Sequence, residues 1–295
     1  MIRRALRHTF TLLNVDHVNL GLKWNYKNVI SPYFRIYYID SGEGEISDVS
    51  TTLKLEPGFL YIIPSFTFCN LNCQGHLSQY FVQFFEDSPD GISLFFNNRT
   101  IFKVEAGEVD VLNFIRLLEI NPGRGINRSD NPKVYEKNIY YREYQDLNNH
   151  QSMSTFTETH GILLQLVSRF LVSGIFKQQK TGAIPVKILD AISHIQLNLH
   201  KDLSVNELAE MANQHPDYFS RLFREHTGER PLHYIHEKRI ERAQYLMVTT
   251  QMPLSSVAAQ VGFENVFHFS KIFKKITGMS PGKYKKQIDL ISKFA

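Results

Sequence analysis

The chain has 295 residues, 43% of them hydrophobic and 21% charged, which suits about two globular domains and excludes a disordered or fibrous protein. The formal charge is +4, but residues 1–180 hold 18 basic and 18 acidic side chains while residues 181–295 hold 15 and 11, so the whole surplus lies in the C-terminal third and hints at a polyanion such as nucleic acid. Two cysteines, Cys69 and Cys73, exclude a disulfide framework and a four-thiolate zinc site.

Arg3, Arg4 and Arg7 open the chain, but Asn14, Asp16 and His17 break the apolar stretch behind them and no small-residue cleavage site follows, which argues against a signal peptide. From 31 to 85, short runs rich in Tyr, Phe, Ile and Val alternate with turn formers. The runs 33–40, 44–48, 51–55, 59–63, 66–71 and 77–85 predict the strands of an antiparallel sandwich or barrel. Ser41-Gly42-Glu43-Gly44, Glu56-Pro57-Gly58 and Asn72-Cys73-Gln74-Gly75 supply turns between them.

Beyond Gly107 the period lengthens. Val109, Leu112, Phe114, Ile115, Leu117 and Leu118 fit a short helix stopped by Asn121-Pro122-Gly123. A second helix is expected over 132–147 and a third over 157–177. The third carries Leu163, Leu164, Leu166, Val167, Phe170, Leu171 and Phe176, an apolar arc wide enough to need cover on two sides. The barrel supplies one side; the other is either a partner subunit across a dimer axis or the rest of the same chain. The apolar stretch 161–176 is too short to span a bilayer and is interrupted by Gln165 and Arg169, so a cytoplasmic protein without membrane contact is expected. A hydrophilic stretch from Lys177 to Ile184 reads as a linker.

The last hundred residues contain an internal repeat that reads as a displacement of 50 positions without a gap. Ala209 matches Ala259, Phe219 matches Phe269, Phe223 matches Phe273, and the register continues through Thr227 and Thr277, Gly228 and Gly278, Pro231 and Pro281, Tyr234 and Tyr284. Each copy reads as a short helix, a tight turn and a second amphipathic helix. In copy one, Ser204 with Glu207 forms a capping box, Asn213-Gln214-His215 is the turn, Pro216 opens the second helix and Gly228 closes it. Copy two repeats the plan over 255–261 and 264–276, with a turn at Gly262. A helix over 232–248 joins the copies and is expected to set their second helices about one duplex turn, roughly 34 Å, apart.

These residues carry a resemblance. Phe219-Ser220-Arg221-Leu222-Phe223-Arg224 with Thr227-Gly228, then Gly262-Phe263, Phe269-Ser270-Lys271-Ile272-Phe273-Lys274-Lys275, Thr277-Gly278 and Ser280-Pro281, make residues 185–290 resemble the DNA-binding domain of the AraC/XylS family of bacterial transcription regulators. Residues 30–90, with Leu55-Glu56-Pro57-Gly58 and Ile62-Ile63-Pro64, resemble the cupin-like sensing barrel of many members. The resemblance implies an α+β chain of two domains. An N-terminal cupin-like antiparallel β barrel (jelly roll) with trailing helices spans 1–178, a linker 179–184, and an all-α double helix-turn-helix domain 185–295. It implies an effector-responsive activator that binds double-stranded DNA, contacts RNA polymerase and forms a homodimer through helix 157–177, with no enzymatic activity, cofactor or metal.

Carried onto this chain, the family's first recognition helix implies Asp217, Tyr218, Ser220 and Arg221 at the DNA, with Arg224 near the backbone. Arg221 either forks onto guanine O6 and N7 or binds a phosphate. Asp217 either accepts from cytosine N4 or orients Arg221. On the second helix Phe263, Phe269, Ile272 and Phe273 read as core, leaving Asn265, Val266, Phe267, His268 and Lys271 outward. Val266 and Phe267 touch thymine methyls or read little, and Lys271, Lys274 and Lys275 suit phosphates, so weak base discrimination is expected from this helix.

The barrel is expected to sense a small molecule, a sugar, organic acid or aromatic, through Trp24, Arg35, Tyr37 and Tyr61. The alternative places the aromatics in the barrel core and Arg35 in solvent. A barrel without a small-molecule ligand, controlled by a protein partner, also fits. His8, His17 and His76 are isolated, which argues against a metal-dependent cupin enzyme, and no phosphate loop or nucleophile elbow is found.

Overall fold

The structure, a computed structural model, describes residues 8–48, 50–88, 92–96, 98–125, 138–172 and 184–289. The chain divides into two compact units, residues 1–87 with 94–178 and residues 88–93 with 179–295. Of the expected linker 179–184, only Ile184 lies within the described residues.

Unit one is built from β1 (Thr9–Gly21), β2 (Asn25–Val29), β3 (Phe34–Gly42), β4 (Gly44–Ser47), β5 (Thr52–Leu55), β6 (Phe59–Ile63), β7 (Cys69–Asn72), β8 (His76–Asp87) and β9 (Phe102–Glu105). They form a five-stranded sheet in the order β1-β8-β3-β6-β9 and a four-stranded sheet in the order β2-β7-β4-β5, with antiparallel pairing throughout. This is the cupin-like double sheet that the turn spacing implied. Three strands fall outside the expected runs: β1, β2 and β9. The expected run 66–71 starts later, at Cys69, because Phe66 sits at a φ of 58°, outside strand geometry.

Strand alternation assigns the two faces of the larger sheet. Tyr80, Val82 and Phe84 of β8 and Phe34, Ile36 and Tyr38 of β3 pack with Phe114, Leu163, Leu166 and Phe170 from the helical layer. The opposite face places Tyr37, Tyr61 and Phe81 against Ile46, Leu55, Cys69 and Leu71 of the smaller sheet. A bulge between Leu12 and Asn14 shifts the register of β1, so that Leu12 faces the helices and Asn14, paired with Gln83, faces the smaller sheet.

The helices are α1 (Glu108–Ile120), α2 (Asn138–Asn149) and α3 (Met153–Ser168). The segment 132–137 of the second expected helix lies outside the described residues. In α1 the expected apolar face is only half right: Phe114 and Leu117 are buried together with Asp110 and Asn113, whereas Val109, Leu112 and Ile115 are exposed, the first two at 63% and 61%. Asp110 and Asn113 are buried because they bond across to α3 and its C-terminal extension, Asp110 to Arg169 at 3.0 Å and Asn113 to Gln165 at 3.0 Å.

The third helix begins four residues earlier than expected, capped by Ser152, whose hydroxyl accepts from the Thr155 amide, a bond worth about 1 kcal/mol. It ends at Ser168, so Phe170 and Leu171 lie beyond it, and 173–177 are outside the described residues. Among the described residues, most of its arc is covered within unit one. Ile162, Leu163, Leu166 and Val167 are buried, packed on the larger sheet and on Phe114 and Leu117 of α1, and of the described arc residues only Leu164 is exposed, at 38%.

Unit two is helical: α4 (Val186–Leu197), α5 (Val205–Met211), α6 (Pro216–Thr227), α7 (Pro231–Thr249), α8 (Leu254–Gln260), α9 (Val266–Thr277) and α10 (Pro281–Asp289). The joining helix α7, 19 residues long and so about 28 Å at 1.5 Å per residue, buries the expected Ile235, Ile240, Ala243, Leu246 and Met247. The repeat carries a one-residue gap, contrary to the ungapped register expected. α6 and α9 are 50 positions apart, but α5 and α8 are 49 apart, because the second turn holds one more residue. Ala258, not Ala259, is therefore the buried counterpart of Ala209, and Ala259 is exposed.

Candidate nucleic-acid interface

Each copy is held by short-range chemistry. The Ser204 hydroxyl accepts from the Glu207 amide at 3.1 Å and caps α5. The Glu207 carboxylate lies 3.4 Å from His194 Nε2. Asn213, at a φ of 51°, turns the chain into His215, whose Nδ1 accepts from the Asp217 amide at the start of α6. Phe219 and Phe223 are fully buried, and their rings continue to Tyr234 of α7 with centroids 5.7 and 5.4 Å apart. Gly228 closes the helix in the left-handed region at a φ of 84°.

Copy two builds the same ladder, Phe269 to Phe273 to Tyr284, at 5.6 and 5.4 Å. The Thr227 hydroxyl lies 2.8 Å from the Phe223 carbonyl, and the Thr277 hydroxyl 2.8 Å from that of Phe273. These matches explain why Phe, Thr, Gly and Tyr recur in the sequence: they are the parts that hold a second helix against its support.

The exposed faces can then be read position by position. On α6, Asp217, Tyr218, Arg221 and Arg224 are exposed and Ser220 is half-buried. The Arg221 guanidinium carbon lies 5.5 Å from the Tyr218 ring centroid, close enough for a cation–π contact that holds the fork above the helix. On α9, Asn265, Phe267, His268, Lys271, Lys274 and Lys275 are exposed, Val266 is half-buried, and Phe263, Phe269 and Phe273 are buried, with Ile272 intermediate. Asn265 Oδ1 accepts from the amides of Phe267 and His268 at 2.7 and 3.4 Å, so its oxygen is committed to the cap. The His268 ring meets His236 of α7 and Phe263 edge to face, at 5.7 and 5.5 Å.

One side chain with no signature in the sequence joins the two copies. Arg239 of α7 is buried; its Nε donates to the Leu199 carbonyl at 3.0 Å and its Nη2 to the Lys201 carbonyl at 2.6 Å. Its guanidinium carbon sits 5.5 Å from the Phe263 ring centroid. The segment leading into α5, the joining helix and the turn of copy two meet at this side chain. Burial lowers the Arg239 pKa, and the nearby Asp202 opposes the shift. No spacing rule marks it, since its acceptors are backbone carbonyls 38 to 40 positions away.

In unit one the four expected effector residues are all buried: Trp24, Tyr37 and Tyr61 belong to the core between the sheets, and Arg35 is 1% exposed rather than in solvent. Arg35 Nη2 donates to Cys69 Sγ at 3.3 Å. The Tyr61 hydroxyl donates to the Lys54 carbonyl at 2.7 Å and accepts from the Glu56 amide at 2.9 Å, so it braces the corner where the chain passes from β5 of one sheet to β6 of the other. Arg35 pairs with Gln83 across β3 and β8, and Gln83 with Asn14 across β8 and β1. This row of buried polar side chains, with Gln79 four residues along β8, was absent from the expected set. Asn14 reads in sequence as a break in an apolar stretch, not as an inward strand position. Among the described residues no group of three or more His, Cys, Asp or Glu is placed to hold a metal ion, and no helix is long and apolar enough to cross a membrane.

Two helix-turn-helix units on one joining helix define the C-terminal unit as a double helix-turn-helix domain. Residues 208–287 match the family described as a helix-turn-helix domain. The uncharacterized HTH-type transcriptional regulator YobQ of Bacillus subtilis (strain 168) is 34% identical over 98 residues, 33% of this chain and 41% of that protein. The arabinose operon regulatory protein of Salmonella typhimurium is 34% identical over 102 residues, 34% and 36% of the two chains. The Msm operon regulatory protein of Streptococcus mutans is 24% identical over 284 residues, 94% of this chain and 93% of its own. The chain thus spans less than two thirds of the first and second of these relatives, and nearly all of the third. A variant of apo ToxT from Vibrio cholerae shares the fold over 95% of this chain and 97% of its own, with 13% identity and a TM-score of 0.55. Residues 208–287 are thus similar to the helix-turn-helix domains of bacterial transcription regulators, the arabinose operon regulatory protein among them.

Proposed function

We propose that the protein is a sequence-specific transcription regulator whose recognition helices α6 and α9 enter successive major grooves of one duplex. The observation that carries this reading is the repeated aromatic ladder, which turns a basic face outward on each helix: Arg221 and Arg224 on α6, Lys271, Lys274 and Lys275 on α9. Phosphate contacts from the lysines set register, and base-edge contacts from α6 set sequence. Selection of duplexes by the full chain from a random pool, followed by fluorescence anisotropy, tests it. A two-part consensus with its halves about 10 base pairs apart is expected, and inserting five base pairs between them should reduce binding to that of one half. Equal affinity for every duplex would overturn the reading.

The unit of regulation is a homodimer that activates through RNA polymerase, as the family resemblance implies. The surface suited to a second copy is α1 rather than the third helix, because Val109, Leu112 and Ile115 are exposed whereas Leu163, Leu166 and Val167 of α3 are buried. Leu112→Glu should shift the sedimenting species to monomer. A reporter behind the selected site should rise when the protein is expressed; a fall would make it a repressor.

The effector site lies between the sheets. Asn14 Nδ2 and Oδ1, Gln79 Oε1 and Gln83 Oε1 are buried without a protein partner among the described residues, beside the buried Arg35 cation and the rings of Tyr37 and Phe81. Unpaired buried polar atoms cost about 1–3 kcal/mol each, and a small ligand carrying hydroxyls and a carboxylate offsets that cost. Thermal-shift screening of sugar acids and hydroxy acids tests it, with Gln83→Leu expected to abolish the shift. No stabilisation by any of them would favour control by a protein partner.

A further inference from the structure

We propose that Phe267 is a specificity-determining residue that reads a thymine C5-methyl group, so that the two halves of the DNA site are read by different chemistry. The inference rests on the DNA-binding reading above and goes beyond it, to the base that copy two selects.

Phe267 is 84% exposed, the most exposed large hydrophobic side chain among the described residues. It is the second residue of α9, at the N-terminal end where recognition helices meet base edges. Its neighbours are otherwise engaged. Asn265 caps the helix through Oδ1, Val266 is half-buried, and His268 packs edge to face on His236 and Phe263. In that first turn Phe267 is the exposed apolar side chain, and among the described residues no ring packs on it.

Lys271, one turn further on the same face, is exposed, with Lys274 and Lys275 beyond it, so the ring stands at the head of a cationic stripe. A polyanion that seats those lysines brings its groove to the ring. In a major groove the apolar feature of a base edge is the thymine methyl.

Copy one carries different chemistry at the matched place. α6 and α9 are 50 positions apart, so Asp217 stands where copy two has Phe267. Its carboxylate is 98% exposed and lies 3.9 Å from His215 Nδ1. A carboxylate there accepts from cytosine N4 and is repelled by the thymine O4 acceptor, whereas a phenyl ring packs on the thymine methyl and offers the cytosine amino group no carboxylate acceptor. Arg221 and Lys271 occupy the next matched place, a bidentate fork in one copy and a point charge in the other. Copy one is therefore equipped for a G·C pair and copy two for an A·T pair.

The test uses the full chain and the duplex it selects. Each thymine of the site is replaced in turn by deoxyuridine, which removes the C5-methyl and leaves base pairing intact, and affinity is measured at one fixed salt concentration for the wild type and for Phe267→Ala. Because residue 267 is exposed, Phe267→Ala should fold normally, which circular dichroism checks. One thymine in the half read by α9 should lose about fourfold in affinity on demethylation, the worth of one buried methyl, and that loss should vanish in Phe267→Ala. Wild-type affinity unchanged at every thymine overturns the inference and leaves DNA binding intact. An equal loss in wild type and variant also overturns it, by assigning the methyl to another residue. Failure to select any duplex overturns the DNA-binding reading itself, and this inference with it.

Discussion

The guanidinium of Arg239 stands where a side chain at Gly262 would begin. A Cβ on Gly262 would lie 2.7 Å from Arg239 Nη2 and 2.4 Å from the Leu199 carbonyl oxygen, and the residue has a φ of +82°. Gly228, at +84°, has nothing within 4 Å of such a Cβ. Gly228→Ala should therefore cost about 1–2 kcal/mol for the left-handed backbone alone, and Gly262→Ala about 1–3 kcal/mol more for the overlap. Denaturant unfolding of the two variants measures the difference; equal losses would show that the close approach relaxes freely.

Arg239→Met keeps much of the apolar stem and removes both hydrogen bonds. The Leu199 and Lys201 carbonyls then lose a charged donor, a loss of about 2–4 kcal/mol for two charge-assisted bonds partly offset by water. Hydrogen exchange should accelerate first at the segment around Leu199 and at the turn of Gly262, because both hang on this side chain. Uniform acceleration across unit two would place the tie elsewhere.

Arg221→Ala should weaken the selected duplex by about 1–3 kcal/mol and relax preference at one base position. Lys274→Ala should weaken all sequences alike and flatten the salt dependence by about one unit of slope. Anisotropy titrations on matched and mismatched duplexes over a range of salt separate the two roles. Equal losses on matched and mismatched duplexes for Arg221→Ala would assign it to phosphate.

Burial lowers the His236 pKa below its ordinary value of 6.5, and the charges of Arg239, His268, His233 and Lys275 lower it further. The folded protein thus holds this imidazole neutral at a pH where the unfolded chain has already bound a proton. Unit two should be at its full stability above about pH 6.5 and lose stability as pH falls from there through the folded-state value. His236→Gln should flatten that slope in melts between pH 7 and pH 5; an unchanged slope would assign it to other groups.

The helix-turn-helix copies were legible because their determinants are local and repeated. Caps, the left-handed glycines and the Phe-Phe-Tyr ladder all fall at fixed short spacings. The extra residue in the second turn was not legible, because Ala259 happens to stand 50 places after Ala209 while its neighbour Ala258 does the packing. In unit one the expected runs were those bracketed by turn formers, such as 44–48 and 51–55. β1 escaped because Asn14 and Asp16 occupy inward positions, where strand pattern looks for apolar side chains, and β2 because three of its five residues are exposed. For α1 the period was right and the face was wrong: Asp110 and Asn113 are buried by bonds to residues 52 to 59 positions later, which no local pattern carries. Arg35 was found by residue type, but its row with Gln83 and Asn14 needed strand register.

The longer second turn also bears on how a promoter is arranged. Two readers joined by unequal corners, one tipped with Asp217 and the other with Phe267, do not spell a word that reads the same from either end. The two-part site read by one chain in the manner proposed therefore has a heading, like an arrow painted on the duplex. Flipping it in place keeps every base contact yet points the bound protein the other way, away from whichever neighbour it had faced.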